Sequence, residues 1–265
     1  VISRQHRLFS FAIACISRVL IVRDWLFIRM PREQSAGPPQ STVSRHRIPS
    51  GENMLDAVFV TPAAAPRASL LLCHGIGETV TRWLSVQQLL ATQGVATLVF
   101  DYAGYGRSKG DFTTPQAEQD AICAFLLLQA LTEPLPVSLL GFSLGSGIAV
   151  AIIDKVPAHR LILCAAFTSL RKAAVSAGVP RAFAFTVPDV WDAQQALSNC
   201  AVPVLIVHCE KDRLFPVSMA EELSRFCNPQ AKFVVIPKLT HNQPFRLPEL
   251  AYWGRIVDWL LQYSD

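Results

Sequence analysis

The sequence predicts an α/β architecture: a mostly parallel sheet with helices packed on both faces and a small lid inserted late in the chain. Three observations carry this expectation. Six short, continuously apolar runs bounded by Gly, Pro or polar residues read as strands covered on both sides. Longer segments with helical spacing separate most of them, and that alternation implies parallel strands joined by helical crossovers. The chain has 265 residues, 51% hydrophobic and 17% charged, which suffices for one large core at a size where a single α/β domain is common.

Residues 1–42 read as an apolar, basic N-terminal segment followed by a linker. The stretch RQHRLFSFAIACISRVLIVRDW begins basic and turns apolar, but Arg18 interrupts it short of the ~18 to 20 apolar residues of a spanning helix. It reads as an extra amphipathic helix, as sequence upstream of a start at Met30, or as a signal with residues 9–16 as its apolar region and Cys15 after Ala14. The expected location is the cytoplasm; the signal reading replaces it with export or membrane association. Through Arg47, eight arginines stand against Asp24 and Glu33, so this end carries +6 and, with a net charge of +4, the rest carries −2. A basic nucleic-acid-binding body is thereby excluded, whereas the +6 tail and apolar residues 8–22 make a membrane surface a candidate partner. Residues 33–44, EQSAGPPQSTVS, have linker composition.

The folded domain is expected over residues 43–265. SRHRIPSGENMLDAVFVTP reads as two short strands around a turn marked by Gly51 and Asn53. The buried strands follow as ASLLLCHG, VATLVFDY, PVSLLGFS, HRLILCAAF, VPVLIVHCEKD and AKFVVIPKL, with helices expected at 81–93, 115–131, 143–156, 217–226 and 250–263. One connection is unusually long: residues 168–199, with Pro180, Pro188 and several aromatics, read as a lid or as a crossover helix with an excursion. The seven cysteines include no CxxC pair, and Cys73, Cys164 and Cys209 lie inside apolar runs, so neither a disulfide framework nor a metal site is expected and a reducing compartment is the default.

Chemistry concentrates at the ends of these strands. Gly141-Phe142-Ser143-Leu144-Gly145 brackets a serine with two glycines at a strand-to-helix junction, where a nucleophile elbow requires residues without a β-carbon on both flanks. An ordinary Gly-Ser turn is the plain alternative. A nucleophilic serine needs a base and an acid to orient it. Of the histidines that follow, His159 opens a strand and His208 lies within one, whereas His241 falls in a loop at the carboxyl edge of the sheet, where open α/β sheets bind ligands. In HCEKDRLFP, Asp212 lies past the strand and is the preferred acid, with Glu210 as its rival. The Leu144 amide opens a helix, and CHGIGET puts Ile76 in the facing loop, so these two N–H groups are the candidate oxyanion hole.

Across residues 43–263 the chain resembles the α/β-hydrolase-fold serine hydrolases, and FDYAGYGRSKG at 100–110 is similar to a segment of their BEM46-like branch, related to the serine aminopeptidase S33 group. The resemblance implies an HGxG oxyanion loop, a GxSxG nucleophile, an acid after the penultimate core strand and a terminal histidine, in the order Ser143, Asp212, His241. Two positions depart from the family pattern. Cys209 stands in HCEKD where HGxxD is common, and Thr240 precedes the histidine where glycine is frequent.

The expected activity is hydrolysis of a carboxylic ester of small to medium acyl chain through an acyl-enzyme, with no metal or organic cofactor and a small-molecule acyl ester as partner. Ile76, Phe142, Leu144, Phe167, Leu214 and the excursion with Phe183, Phe185 and Trp191 are candidate pocket residues, each aromatic being an equal candidate for the core. A short lid without an acidic cluster favours a neutral ester over a peptide with a charged amine. A thioesterase, peptidase or acyltransferase on the same triad, or a catalytically silent binding protein of this fold, are the alternatives.

Overall fold

Gly51, at φ 57°, and Glu52 close a tight hairpin between β1 (Ser41–Ser50) and β2 (Asn53–Pro62), with Ser50 paired to Asn53. Both strands are ten residues long, nearly twice the ordinary strand length of about 5–6 residues, so the two short strands expected from the sequence are a full outer ribbon. The computed structural model that shows this describes residues 41–262; the segment 1–40, with its amphipathic, signal and anchor readings, lies outside the described residues.

The six apolar runs form β3 (Ala68–Cys73), β4 (Val95–Phe100), β5 (Val137–Phe142), β6 (Leu161–Cys164), β7 (Val204–Cys209) and β8 (Lys232–Ile236). All eight strands make one sheet in the order β1-β2-β4-β3-β5-β6-β7-β8, with β2 antiparallel to both neighbours and β3 to β8 parallel. From β3 the chain steps outward to β4 and then crosses back to β5. The loops leaving β3 and β5 therefore diverge at their carboxyl ends, the topological switch point at which such sheets form a crevice.

Strand periodicity divides the core. Leu70 and Leu72 face α1 (Val80–Thr92) and α8 (Leu250–Leu261), while Leu71 and Cys73 face α2 (Thr114–Thr132) and α3 (Leu144–Ile152). On α1 the buried Val80, Trp83, Gln87 and Leu90 recur at helical spacing, as do Tyr252, Trp253, Ile256 and Leu260 on α8. Thr113 caps α2 by accepting the Gln116 N–H, with Pro115 in the first turn. The buried Arg160 guanidinium binds the Trp259 and Leu260 carbonyls, which neutralises the carboxyl end of α8. Helix α3 stops earlier than its apolar run: Lys155 N–H turns back to the Ile152 carbonyl, and Pro157 follows.

The excursion at 168–199 contains α4 (Leu170–Ser176), a 3₁₀ turn (Arg181–Thr186) and α5 (Ala193–Ser198). Its base is pinned. Leu170 N–H donates to Val190, Ala193 N–H donates to Thr168, and the Trp191 indole donates to Glu118 Oε1 on α2 at 2.9 Å. After it come α6 (Val217–Ser224) and the short α7 (Gln243–Arg246), which flank the last two strands.

Candidate active site

Strand β5 delivers Ser143 into a turn that few residues tolerate. Its φ of 53° with ψ of −118° is a strained combination for a residue with a β-carbon, costing about 1–3 kcal/mol. The neighbourhood holds it there. Ser143 N–H donates to the Cys164 carbonyl at 3.0 Å, and its own carbonyl accepts the Ser146 hydroxyl at 2.7 Å. A β-carbon on Gly141 would lie 2.3 Å from the Gly145 oxygen, and one on Gly145 only 2.0 Å from the Cys73 oxygen, so both flanks admit glycine alone.

The loops after β7 and β8 bring their groups to this serine. Asp212 Oδ1 accepts the Leu214 and Phe215 amides at 2.8 and 2.9 Å, which aims Oδ2 at His241 Nδ1, 2.6 Å away. His241 Nε2 lies 3.0 Å from Ser143 Oγ. Glu210 instead accepts the Lys238 amide at 2.8 Å on the exposed side, so the carboxylate beside the histidine is that of Asp212. Burial of Asp212 acts to raise its pKa, but the hydrogen bond and charge of His241, with the Phe215 amide, outweigh burial and hold the carboxyl below its usual range. An ionised Asp212 keeps the imidazole proton on Nδ1, which leaves Nε2 free to accept the serine proton. His159 is exposed, and His208 is buried with Nε2 2.8 Å from the Phe215 carbonyl, so neither approaches Ser143 by this route.

Leu144 is the first residue of α3, so its N–H has no acceptor within the helix. Opposite it, residues 75–78 form a turn with Ile76 half-buried and Gly77 at φ 72°. That turn is braced from below. Tyr102 donates to the His74 carbonyl at 3.0 Å, and Asp101 Oδ1 accepts the Val80 amide at 2.8 Å. Gly106 in the same FDYAGYGRSKG segment is obligatory, because a β-carbon there would fall 1.9 Å from Asp101 Oδ2. Burial pushes Asp101 up to about 6 and His74 down to about 4, their side chains lying 3.7 Å apart.

Several expected pocket residues are placed elsewhere. Phe142 is fully buried and its ring packs on His241 at 5.5 Å, in an aromatic group with Trp83 and Phe245, so it supports the histidine and presents no surface to a ligand. Phe167 is likewise enclosed, packed on Phe215, and Trp191 is buried over Gly147 of α3. Leu214 and Ile76 are half-buried, and Phe183 and Phe185 are 58% and 65% exposed. An apolar groove of about 380 Å³ lies between β8, α7 and α8, lined by Val234, Ile236, Pro244 and Tyr252, but it touches none of Ser143, Asp212 and His241. Sequence reasoning missed Phe215, whose ring packs 5.3 Å from that of His241, and Glu78, which lies under the Ile76 turn; the only signal was an acid three residues after Gly75 in HGIGE.

Residues 64–191 match the family model for serine aminopeptidase, S33, a span that contains the Ile76 turn and Ser143. Among curated relatives, an uncharacterized protein of Mycobacterium tuberculosis is 26% identical over 79% of this chain and 78% of its own length. The lysophosphatidylserine lipase ABHD12 of Danio rerio is 26% identical over 58% of this chain, which spans 46% of the lipase. Among solved structures, the Pyrococcus furiosus esterase Pf2001 superposes with a TM-score of 0.70 at 17% identity over 90% of this chain and 98% of its own. A cold-adapted esterase from an Arctic intertidal metagenomic library gives 0.64 at 17% identity over 89% and 99%. These structural likenesses establish the fold. Among the described residues no helix is long and apolar enough to cross a membrane.

Proposed function

We propose that this chain, similar in sequence and fold to α/β-hydrolase serine hydrolases, cleaves a carboxylic ester of small to medium acyl chain through a covalent acyl-enzyme on Ser143. The observation that carries this reading is the unbroken line from Asp212 Oδ2 through His241 to Ser143 Oγ, at 2.6 and 3.0 Å, on a serine held at positive φ. As Oγ attacks the ester carbonyl, His241 Nε2 takes its proton, and the imidazolium is stabilised by Asp212. The Ile76 and Leu144 amides receive the developing oxyanion. Collapse of the tetrahedral adduct expels the alcohol, which takes the proton back from His241. Water then attacks the acyl-enzyme, with His241 acting as base again, and Ser143 is regenerated. The net reaction consumes one ester and one water and releases the alcohol and the carboxylic acid, with the acyl group passing through Ser143 Oγ and the protons through His241.

The half-buried Ile76 and Leu214, with the exposed Phe183 and Phe185, support an apolar acyl group. The lipase relatives favour a second reading, in which the ester is that of a lysophospholipid with a longer chain. A p-nitrophenyl ester series from acetate to laurate, run beside a thioester, an aminoacyl amide and a lysophospholipid, separates them. Small to medium acyl esters should have the highest kcat/KM, and a preference for the amide or the lysophospholipid would displace this reading.

A further inference from the structure

One buried acid near the site has no part in the acyl-transfer steps. Glu78 is 5% exposed, and its Oε2 accepts two N–H groups, that of Gly75 at 2.9 Å and the indole of Trp83 at 2.7 Å. Its own amide donates to the Gly75 carbonyl at 3.4 Å, which closes the turn of residues 75–78, and Gly77 supplies the positive φ that a type II turn needs at its third position. A β-carbon on Gly75 would come within 2.7 Å of Glu78 Oε1, so the carboxylate is packed directly against the loop. Trp83 carries the contact further. Its ring stacks on Phe245 at 5.8 Å and meets Phe142 edge-on at 5.5 Å, and Phe142 is in turn packed on His241.

We propose that Glu78 is a positioning residue for acyl transfer: its carboxylate ties the turn that presents the Ile76 N–H to Trp83, and thereby to the aromatic wall behind His241. The second residue of such a turn donates to nothing inside it, so the Ile76 amide is aimed outward only while Gly75 is held. The claim deepens the reading of Ser143, His241 and the Ile76 amide as an acyl-transfer site and rests on it. The charged and titratable groups facing Glu78 are Arg82 from α1, His241 from the loop before α7 and Tyr102 from the segment after β4. Burial pushes the carboxyl up to about 7, against the opposing pull of the Gly75 and Trp83 bonds and of the His241 and Arg82 charges. The grip on Gly75 is therefore strongest above neutrality, where the acceptor is charged.

The test compares wild type, Glu78→Ala and Glu78→Gln with p-nitrophenyl acetate from pH 5.5 to 9, together with affinity for a trifluoromethyl ketone that mimics the tetrahedral adduct. Glu78→Ala should lower kcat about 10- to 100-fold with KM little changed, and should weaken the ketone by a similar factor. Glu78→Gln, which keeps an acceptor for Gly75, should recover most of kcat at pH 8 and lose the part of the acid limb that belongs to Glu78. A purely structural role would lower the melting temperature without this split. Glu78→Ala with kcat within about twofold of wild type overturns the proposal. If that variant does not fold, an acid limb in Glu78→Gln identical to wild type overturns it. The Trp83 indole N–H resonance, assigned with Trp83→Phe, keeps the two claims separate. It should move with pH in wild type and stay fixed in Glu78→Gln even if no ester is turned over, in which case the acyl-transfer reading fails. A pH-insensitive resonance in wild type removes Glu78 from the turn.

Discussion

Among the described residues, Ser143 differs from every other serine by its backbone before its side chain. Its φ of 53° is held by Cys164 and Ser146, and its hydroxyl lies 3.0 Å from an imidazole whose far nitrogen is bound by an acid. The acid assignment makes a sharp prediction. Asp212→Asn should lower kcat/KM about 10³- to 10⁴-fold by favouring the wrong histidine tautomer, while Glu210→Gln should stay within about threefold of wild type, because its carboxylate serves only the Lys238 amide. Steady-state kinetics on a soluble ester decide it, and equal losses in the two variants would remove Asp212 from its role. GFSLG and the loop position of His241 were legible in the sequence because both depend on local chain geometry. Asp212 was preferred over Glu210 in the sequence because it lies past the strand end, and the fold adds the contacts: Asp212 meets His241, while Glu210 turns to the Lys238 amide.

At the scale of elements, the elbow is a packing problem between β3, β5 and α3. Gly145→Ala places a methyl 2.0 Å from the Cys73 oxygen and should destabilise the domain by about 2–4 kcal/mol in urea unfolding, whereas a change at Gly51, whose β-carbon would meet nothing within 4 Å, carries only the strain of its positive φ. The brace under the Ile76 turn sets a pH dependence of stability. His74 falls from 6.5 to about 4 on folding, so its contribution is present above 6.5 and is lost as the pH drops toward 4. Glu78 and Asp101 rise from 4.5 and 3.8 to about 7 and about 6, so what they contribute is complete below their unfolded values and is lost as the pH rises through 6 to 7. Glu78→Gln removes one of these losses. Its stability relative to wild type should increase between pH 5 and 8, by at most roughly 3 kcal/mol, and a difference that does not change with pH would mean that Glu78 is not buried as described. None of this was readable from the sequence, where Glu78 is one acid in the loop before a helix; only burial against Gly75 and Trp83 gives it a perturbed proton.

For the whole molecule, the alternation of apolar runs and helices was sufficient to give the parallel sheet, its two covered faces and the carboxyl edge at which the loops meet. What it did not give was depth. Phe142, Phe167 and Trp191 were equal candidates for pocket and core in the sequence, and all three are packed inward, because an apolar ring near a strand end serves as readily as a strut as a wall. Of the candidate pocket aromatics, Phe183 and Phe185 are the ones that reach solvent, on the one connection whose length departs from the α/β rhythm. Replacing both by serine should leave the melting temperature nearly unchanged and reduce kcat/KM progressively as the acyl chain lengthens; a uniform loss across chain lengths would place them outside the acyl path.

Formation of the covalent intermediate on Ser143 is read by intact-protein and peptide mass spectrometry after treatment with a fluorophosphonate. One phosphonyl adduct is expected on the peptide containing Ser143, absent in Ser143→Ala and strongly slowed in Asp212→Asn. Wild-type protein that stays unmodified, or an adduct that persists in Ser143→Ala, would contradict it.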